Sequence, residues 1–312
     1  MTKVAIVVNP AKVDDVDGLR EAVARRLSEC GWPEPTVLTT SEDDPGSAVT
    51  RQAVRDGAGI VLAAGGDGTV AAVVSVLSGT GVALAVLPSG TGNLLARNLG
   101  LPTDLGEVVR TVVEGSTWQM DVGEVVAGPA TGSSFAVMAG LGFDAAVVED
   151  APEQLKARLG WPAYLVSALS HVADEPFDCT IRLDGGQTLE RTCRTVLVAN
   201  AAGLQGGIDL SPDADVADGL LDVIVISPQG VVDWLRVGAR LATGSEAQDQ
   251  PLERFQARRI EITTATDQVC QLDGDPVGTT HRLTVEVRPG ALTMQGPRPP
   301  DSGGTSAGPA QS

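Results

Sequence analysis

Short apolar runs alternate with helix-spaced stretches at the start of the chain. VAIVV at 4–8 is followed by a helical pattern from about Asp17 to Cys30, then TVLTT at 36–40 and a second helical stretch near 46–57. IVLAA at 60–64, a third helix from about 69 to 78 and VALAVL at 82–87 continue the series. Apolar runs of this length, bounded by turn residues, are buried strands, and their alternation with helices is the rhythm of a parallel sheet covered on both faces. Asp104, with Glu107 three residues on and Val108, Val109, Val112 and Val113 behind it, reads as a capping box opening a further helix.

Past about Met120 the pattern changes to short β-rich runs with turn signals: DVGEVV, SFAVMAGLG, FDCTIRLDGGQTLERTCRTVLVAN, GLLDVIVIS, RRIEITTA, QVCQLDGD and HRLTVEVRPGALTM. The clearest hairpin is the strand, Asp-Gly-Gly-Gln turn and strand around residue 185. The expectation is a Rossmann-like, three-layer α/β domain over 1–121 and an antiparallel β-sandwich over 122–295, with helical inserts near 152–173 and 229–243. Residues 296–312, rich in Pro, Gly and Ser without apolar period, read as a disordered tail.

At 312 residues the chain is comfortable for two domains. Its net charge of −18 opposes a nucleic-acid surface, which needs clustered Lys and Arg, and also opposes adsorption to anionic membranes. Cys30, Cys179, Cys193 and Cys270 are too far apart in sequence for a CxxC metal pair, and read as reduced, mostly buried thiols. The N-terminal apolar run is too short for a signal peptide or membrane span, which points to the cytosol. His171 and His281 have no ligand spacing. Trp161, Tyr164 and Leu165 on the first insert, and Trp234 and Leu235 on the second, serve core packing or an acyl-chain cleft.

Gly65, Gly66 and Gly68 fall where a buried strand ends and a helix begins, the place at which a parallel α/β sheet opens its ligand crevice. Backbone amides there can face an anion with no Cβ in the way, and the helix N-terminus adds favourable charge. Asp67 is the odd member, since it would repel a bare phosphate unless it holds Mg²⁺, an attacking hydroxyl or an orienting amide. A second cradle follows the next strand, in LPSGTGNLLARNLGLP at 87–102, with Gly90, Thr91, Gly92 and Asn93 ahead of a helix that carries Arg97.

GGDGT followed by PSGTGNLLARNLGLP resembles the catalytic domain of the diacylglycerol kinase family, in its soluble bacterial branch; NAD kinases and sphingosine kinases share the first motif. The resemblance runs from VVNPAK through QLDGD and the strands after it. It implies an ATP-dependent lipid kinase acting with Mg²⁺ on the hydroxyl of diacylglycerol or a related lipid alcohol. It further implies an ATP site lined by Gly65, Gly66, Asp67, Gly68, Thr69 and Val70, with Asn9, Thr40 (or Thr39 beside it) and Thr91. Lys12, Gly90 and Asn93 complete the set from the motifs themselves. Asp144, in GLGFDA, would join a network of acids and water.

LSPDADVADGLLDV at 210–223 resembles a structural Mg²⁺ loop, with a carboxylate from Asp218 and backbone carbonyls from Asp215 and Leu220. QLDGDP matches a segment whose terminal glutamate is the general base; here Asp275 stands there, one methylene shorter, with Asp67 or Asp273 as alternatives. Ala71 and Ala72 replace an Asn-Glu pair found in many relatives. Two rival readings are an NAD kinase and a nucleotide or lipid sensor with little catalysis. The resemblance also implies that the last segment of the second domain returns to the first, and a homodimer; with no strong basic amphipathic face on either insert, contact with the inner membrane face would be transient and peripheral, from the cytoplasm.

Overall fold

A computed structural model describes residues 2–142, 176–204, 208–212, 214–228 and 251–299, with six positions between 232 and 240. Asp144, His171, Trp161, Tyr164, Leu165, Trp234, Leu235 and the tail from 300 lie outside the described residues.

The first part alternates as its pattern predicts: β1 (Val4–Val8), α1 (Val16–Glu29), β2 (Thr36–Thr39), α2 (Ser47–Arg55), β3 (Ile60–Gly65), α3 (Asp67–Leu77) and β4 (Ala83–Pro88). Two further helices follow, α4 (Leu94–Asn98) and α5 (Leu105–Glu114). The Asp104 carboxylate accepts the Glu107 N–H at 3.1 Å and so caps α5 as the spacing requires. β1 to β4 are all parallel, in the order β4-β3-β1-β2. Leu19, Val23 and Leu27 of α1 join Val108, Val109 and Val112 of α5 in one buried layer with Ile6 and Leu62. On the opposite face α2 and α3 bury Ala53, Val70, Val73, Val74 and Leu77 with Val7, Val61 and Ala63. Each fully buried aliphatic side chain contributes about 1.5–3 kcal/mol, and these two layers fix the sheet ends on which the loops sit.

The second part is β-rich: β5 (Thr117–Ala127), β6 (Ser134–Phe135), β7 (Met138–Leu141), β8 (Phe177–Leu183), β9 (Gln187–Cys193) and β10 (Thr195–Ala199). After them come β11 (Gly203–Leu204), β12 (Ile208–Asp209), β13 (Leu221–Ile226), β14 (Leu252–Ala257), β15 (Arg259–Leu272) and β16 (Asp275–Gln295). Pairing among β14, β13, β10, β7, β15 and β16 is antiparallel in that order, and the β8–β9 hairpin branches from β15. Phe135, Ile181, Val198 and Val223 lie in its separate buried interior.

Two runs that read as separate strands, RRIEITTA and QVCQLDGD, form one strand, β15, with a register shift between Thr263 and Gln268. β16 likewise runs through Pro289 and Gly290, where its register against β5 shifts between Arg288 and Leu292. Gly290 takes a positive φ of 59° there. At its far end Thr293 and Met294 pair in parallel with Ala83 and Leu84 of β4, so β16 belongs to both parts of the chain.

Candidate active site

Gly66 is extended (φ −88°, ψ −171°) ahead of α3, and no side chain caps that helix. Its first-turn N–H groups therefore remain available to a guest, with the helix dipole behind them. Asn9, just past β1, donates to the Thr69 hydroxyl at 3.4 Å and accepts the Ala11 N–H at 2.9 Å, which ties the first loop of the chain to α3.

The second loop is held by Asn93, a left-handed residue at φ 49°. Its side chain accepts the Gly90 N–H at 2.9 Å and donates to the Gly90 carbonyl at 2.8 Å. Asp67 joins the two loops: its carboxylate accepts the N–H groups of Asn93 (2.8 Å) and Leu94 (2.6 Å), capping α4 from another segment. Charge-assisted bonds of this kind are roughly twice as strong as neutral ones. Of the roles open to Asp67, the geometry satisfies the orienting one, with both carboxylate oxygens engaged by backbone amides. The loops also touch, since a Cβ at Gly90 would lie 2.7 Å from the Gly66 Cα.

The QLDGD segment forms the β15–β16 hairpin. Asp273 (φ 49°) and Gly274 (φ 96°) are its two turn residues, and Leu272 pairs with Asp275 across it. Positive φ at both centres is the Asp-Gly turn expected of a tight hairpin. The turn carries Asp275 to the cradle, where a Cβ at Gly68 would meet the Asp275 Oδ2 at 3.3 Å. Partial burial first, and the Asp67 charge second, hold the Asp275 carboxyl above its usual range.

Asp273 has a different environment. It is buried, and its carboxylate accepts three backbone N–H groups, from Ala136 (3.1 Å), Val137 (2.8 Å) and Met138 (2.9 Å). Burial pushes its pKa up to about 6 against the pull of those bonds. As a proton acceptor for an incoming alcohol it is badly placed; as a latch between the hairpin turn and the entry to β7 it is complete. Its pKa is higher folded than unfolded, so the stabilisation present at low pH is lost as pH rises through 6. Asp273→Asn removes that titration, and the substitution should cost about 1 kcal/mol more at pH 5 than at pH 7. Paired urea unfolding curves at the two pH values measure the difference; equal costs would refute the assignment.

Asn9, Lys12, Pro45, Gly66, Asp67, Gly68, Thr69, Gly90, Thr91, Gly92 and Asp275 surround one cavity of about 430 Å³. Pro45, just ahead of α2, has no signal in the sequence that marks it for this cavity. Gly65 packs behind the loop, where a Cβ would lie 2.7 Å from the Thr69 side chain. Val70 is buried in the core, and its N–H bonds to the Gly66 carbonyl at 3.1 Å. Thr40 is buried beside the end of β1, donating its N–H to the Val8 carbonyl at 2.9 Å, and does not border the cavity.

The acidic loop lies elsewhere. Asp215 accepts the Ala217 N–H (3.0 Å) and Asp218 that of Leu220 (2.8 Å). Burial, then the charges of Asp215 and Asp121, hold the Asp218 carboxyl above its usual range. A carboxylate crowded by like charges is a group that a hard divalent cation would relieve. Among the described residues, no three acidic, His or Cys side chains converge as a ready-made metal cluster. The organising residue here is one the motifs did not flag: buried Asp121 accepts the Gly219 N–H and, at the shift in β16, the Gly290 N–H, each at 2.6 Å. Its signal was an acid standing between Met120 and Val122 in a strand.

A parallel α/β layer joined to an antiparallel β-rich half is a fold found in diacylglycerol kinases and in NAD kinases. A crystal structure of a diacylglycerol kinase from Bacillus anthracis str. Sterne matches the fold with TM-score 0.71 at 23% identity, covering 95% of this chain and 97% of that one. An NAD kinase from Archaeoglobus fulgidus, solved in complex with ATP, matches with TM-score 0.51 at 14% identity over 94% of this chain and 93% of its own. In sequence, residues 3–125 match the diacylglycerol kinase catalytic domain, and residues 136–296 match the YegS C-terminal NAD kinase beta sandwich-like domain. The chain belongs to this lipid-kinase family. A protein of Pseudomonas savastanoi pv. phaseolicola named "Probable lipid kinase YegS-like" is 32% identical over 90% of this chain and 89% of its own length. The diacylglycerol kinase of Bacillus subtilis is 28% identical over 88% of this chain and 90% of its own.

Proposed function

We propose that the chain transfers the γ-phosphoryl group of ATP to the hydroxyl of diacylglycerol or a closely related lipid alcohol. One observation carries the reading: two glycine loops locked together by Asp67, and the carboxylate of Asp275, border the same cavity. Phosphoryl transfer needs little covalent help, so positioning and charge stabilisation supply most of the catalysis. The free N–H groups of α3 and the ammonium of Lys12 hold the phosphates. Asp67, already bonded to two amides, keeps the loops in register. Asp275, with its affinity for a proton raised, accepts the proton of the lipid hydroxyl. Mg²⁺ arriving with the nucleotide would neutralise phosphate charge.

Residues 1–121 would supply the nucleotide half and 122–295 the lipid half, coupled by β16. No helix among the described residues is long and apolar enough to cross a membrane, so contact with lipid is peripheral in this reading. A second Mg²⁺, structural, would sit at Asp218 with the carbonyls of Asp215 and Leu220. Mg²⁺ should then raise the melting temperature of the wild type and leave that of Asp218→Ala unchanged; an equal rise in both would remove the ion from this loop.

The activity test is the purified protein with γ-labelled ATP and a panel of lipid alcohols. Label in phosphatidic acid, made from diacylglycerol, is the expected result. NADP⁺ from NAD⁺ with no labelled lipid would select the NAD kinase reading, and ATP binding without turnover on any acceptor would select a sensor.

A further inference from the structure

Cys179 and Cys193 belong to the two strands of one hairpin, in a diagonal relation: Cys179 pairs with Arg191, and Cys193 with Phe177. Both side chains enter the β-rich interior, and their Sγ atoms are 3.2 Å apart in an S–H···S contact. That two of the four cysteines in 312 residues meet in this way is not required by packing, since an alanine or valine fills a similar volume without a thiol.

The two thiols are not equivalent. Cys179 borders an open recess of about 560 Å³ that also contains Asp178, Arg191 and Thr264, whereas Cys193 is fully buried. The bond from Cys193, and then the Arg191 guanidinium, pull the Cys179 thiol down, while Cys193 is pushed up by the same bond and by burial. Asp178 acts against both shifts at Cys179 and with the rise at Cys193. Cys179, 4% exposed, lines the recess, and Cys193 lies closed off behind it at 3.2 Å, so an oxidant in the recess meets Cys179 first and Cys193 is placed to resolve it.

We propose that Cys179 and Cys193 form a peroxide-oxidisable dithiol, a modification site separate from the nucleotide cavity. The Cys179 thiolate attacks one oxygen of the peroxide, the O–O bond breaks, and sulfenic acid forms as the first water leaves. Cys193 sulfur then attacks the Cys179 sulfur, its proton going with the departing hydroxyl as a second water. Two thiols are oxidised by two electrons and hydrogen peroxide is reduced to two waters. Closing from 3.2 Å to a bond of about 2.05 Å needs side-chain rotation together with a shift of the two strands, since diagonal neighbours stand roughly 7–8 Å apart and a disulfide spans less. A small-molecule thiol reverses it.

The exposed Cys30 would confuse the readout, so the test uses a Cys30→Ser protein. Native protein treated with hydrogen peroxide should lose two hydrogen atoms in intact mass and give a cross-linked peptide pair containing residues 179 and 193, restored by dithiothreitol. Cys193→Ser should instead leave a dimedone-trapped sulfenic acid on Cys179; Cys193→Ala serves if the serine variant does not fold. Cys270, which burial pushes up to about 11, should stay unmodified in both. A native protein that keeps its mass, or a cross-link that forms only in denaturant, would overturn the proposal.

Discussion

Asp275→Asn should lower kcat for lipid phosphorylation by about 10²–10⁴-fold, the usual contribution of a positioned general base, while the affinity for ATP changes little. The reason is in the hairpin. Asp275 sits one residue beyond a two-residue turn, so its backbone position is fixed by the pairing with Leu272 and not by its own side chain. Removing the charge leaves the cradle of Gly66, Gly68 and Gly90 unaltered. The acid limb of the rate profile offers a second readout. Because burial and Asp67 hold the carboxyl above its usual range, the limb should fall above that range in the wild type and be missing in the variant. Asp275→Glu restores the missing methylene and should keep turnover. Undiminished kcat in Asp275→Asn would take the base role from this residue.

The sequence displayed the elements of the first part because helix and strand there obey clean periods, and it displayed the two cradles because each glycine cluster follows an apolar run. It did not display what joins them. Nothing in GGDGT says that Asp67 would bond to amides 26 and 27 residues on, since such bonds depend on two loops meeting at the sheet edge. The same holds for Asp273 and Asp275. Two residues apart in sequence, they differ because a positive-φ turn sends one carboxylate into three buried amides and the other to the cavity.

Thr40, which the resemblance implies at the ATP site, is buried beside the end of β1 and does not line the cavity. Asp121 belongs to no motif, and its part in the fold is visible only at the register shift in β16, where it accepts the Gly290 N–H. The long strands β15 and β16 were legible only in pieces, because register shifts interrupt their apolar alternation.

Gly90→Ala should weaken ATP binding by about 10–100-fold, equivalent to roughly 1.4–2.8 kcal/mol. The added methyl would lie 2.7 Å from the Gly66 Cα and 3.1 Å from the Asn93 Oδ1. The first neighbour is backbone, held by β3 and α3, and has no rotamer to escape into. The loops must part, and the parting acts on three bonds at once: the two exchanged between Asn93 and Gly90, and the one the Asn93 N–H donates to Asp67. Asp67 then loses an amide that compensates its charge, so it repels phosphate more strongly just where the cradle has widened. Both consequences weaken nucleotide binding, which is why a single methyl has so large an effect. Gly186→Ala is the control, because a Cβ there meets nothing within 4 Å and its φ is not in the left-handed region. Calorimetric titration of ATP into wild type and both variants decides it: Gly186→Ala should match the wild type, and a Gly90→Ala protein that also matched it would mean that the phosphates do not sit between these two loops.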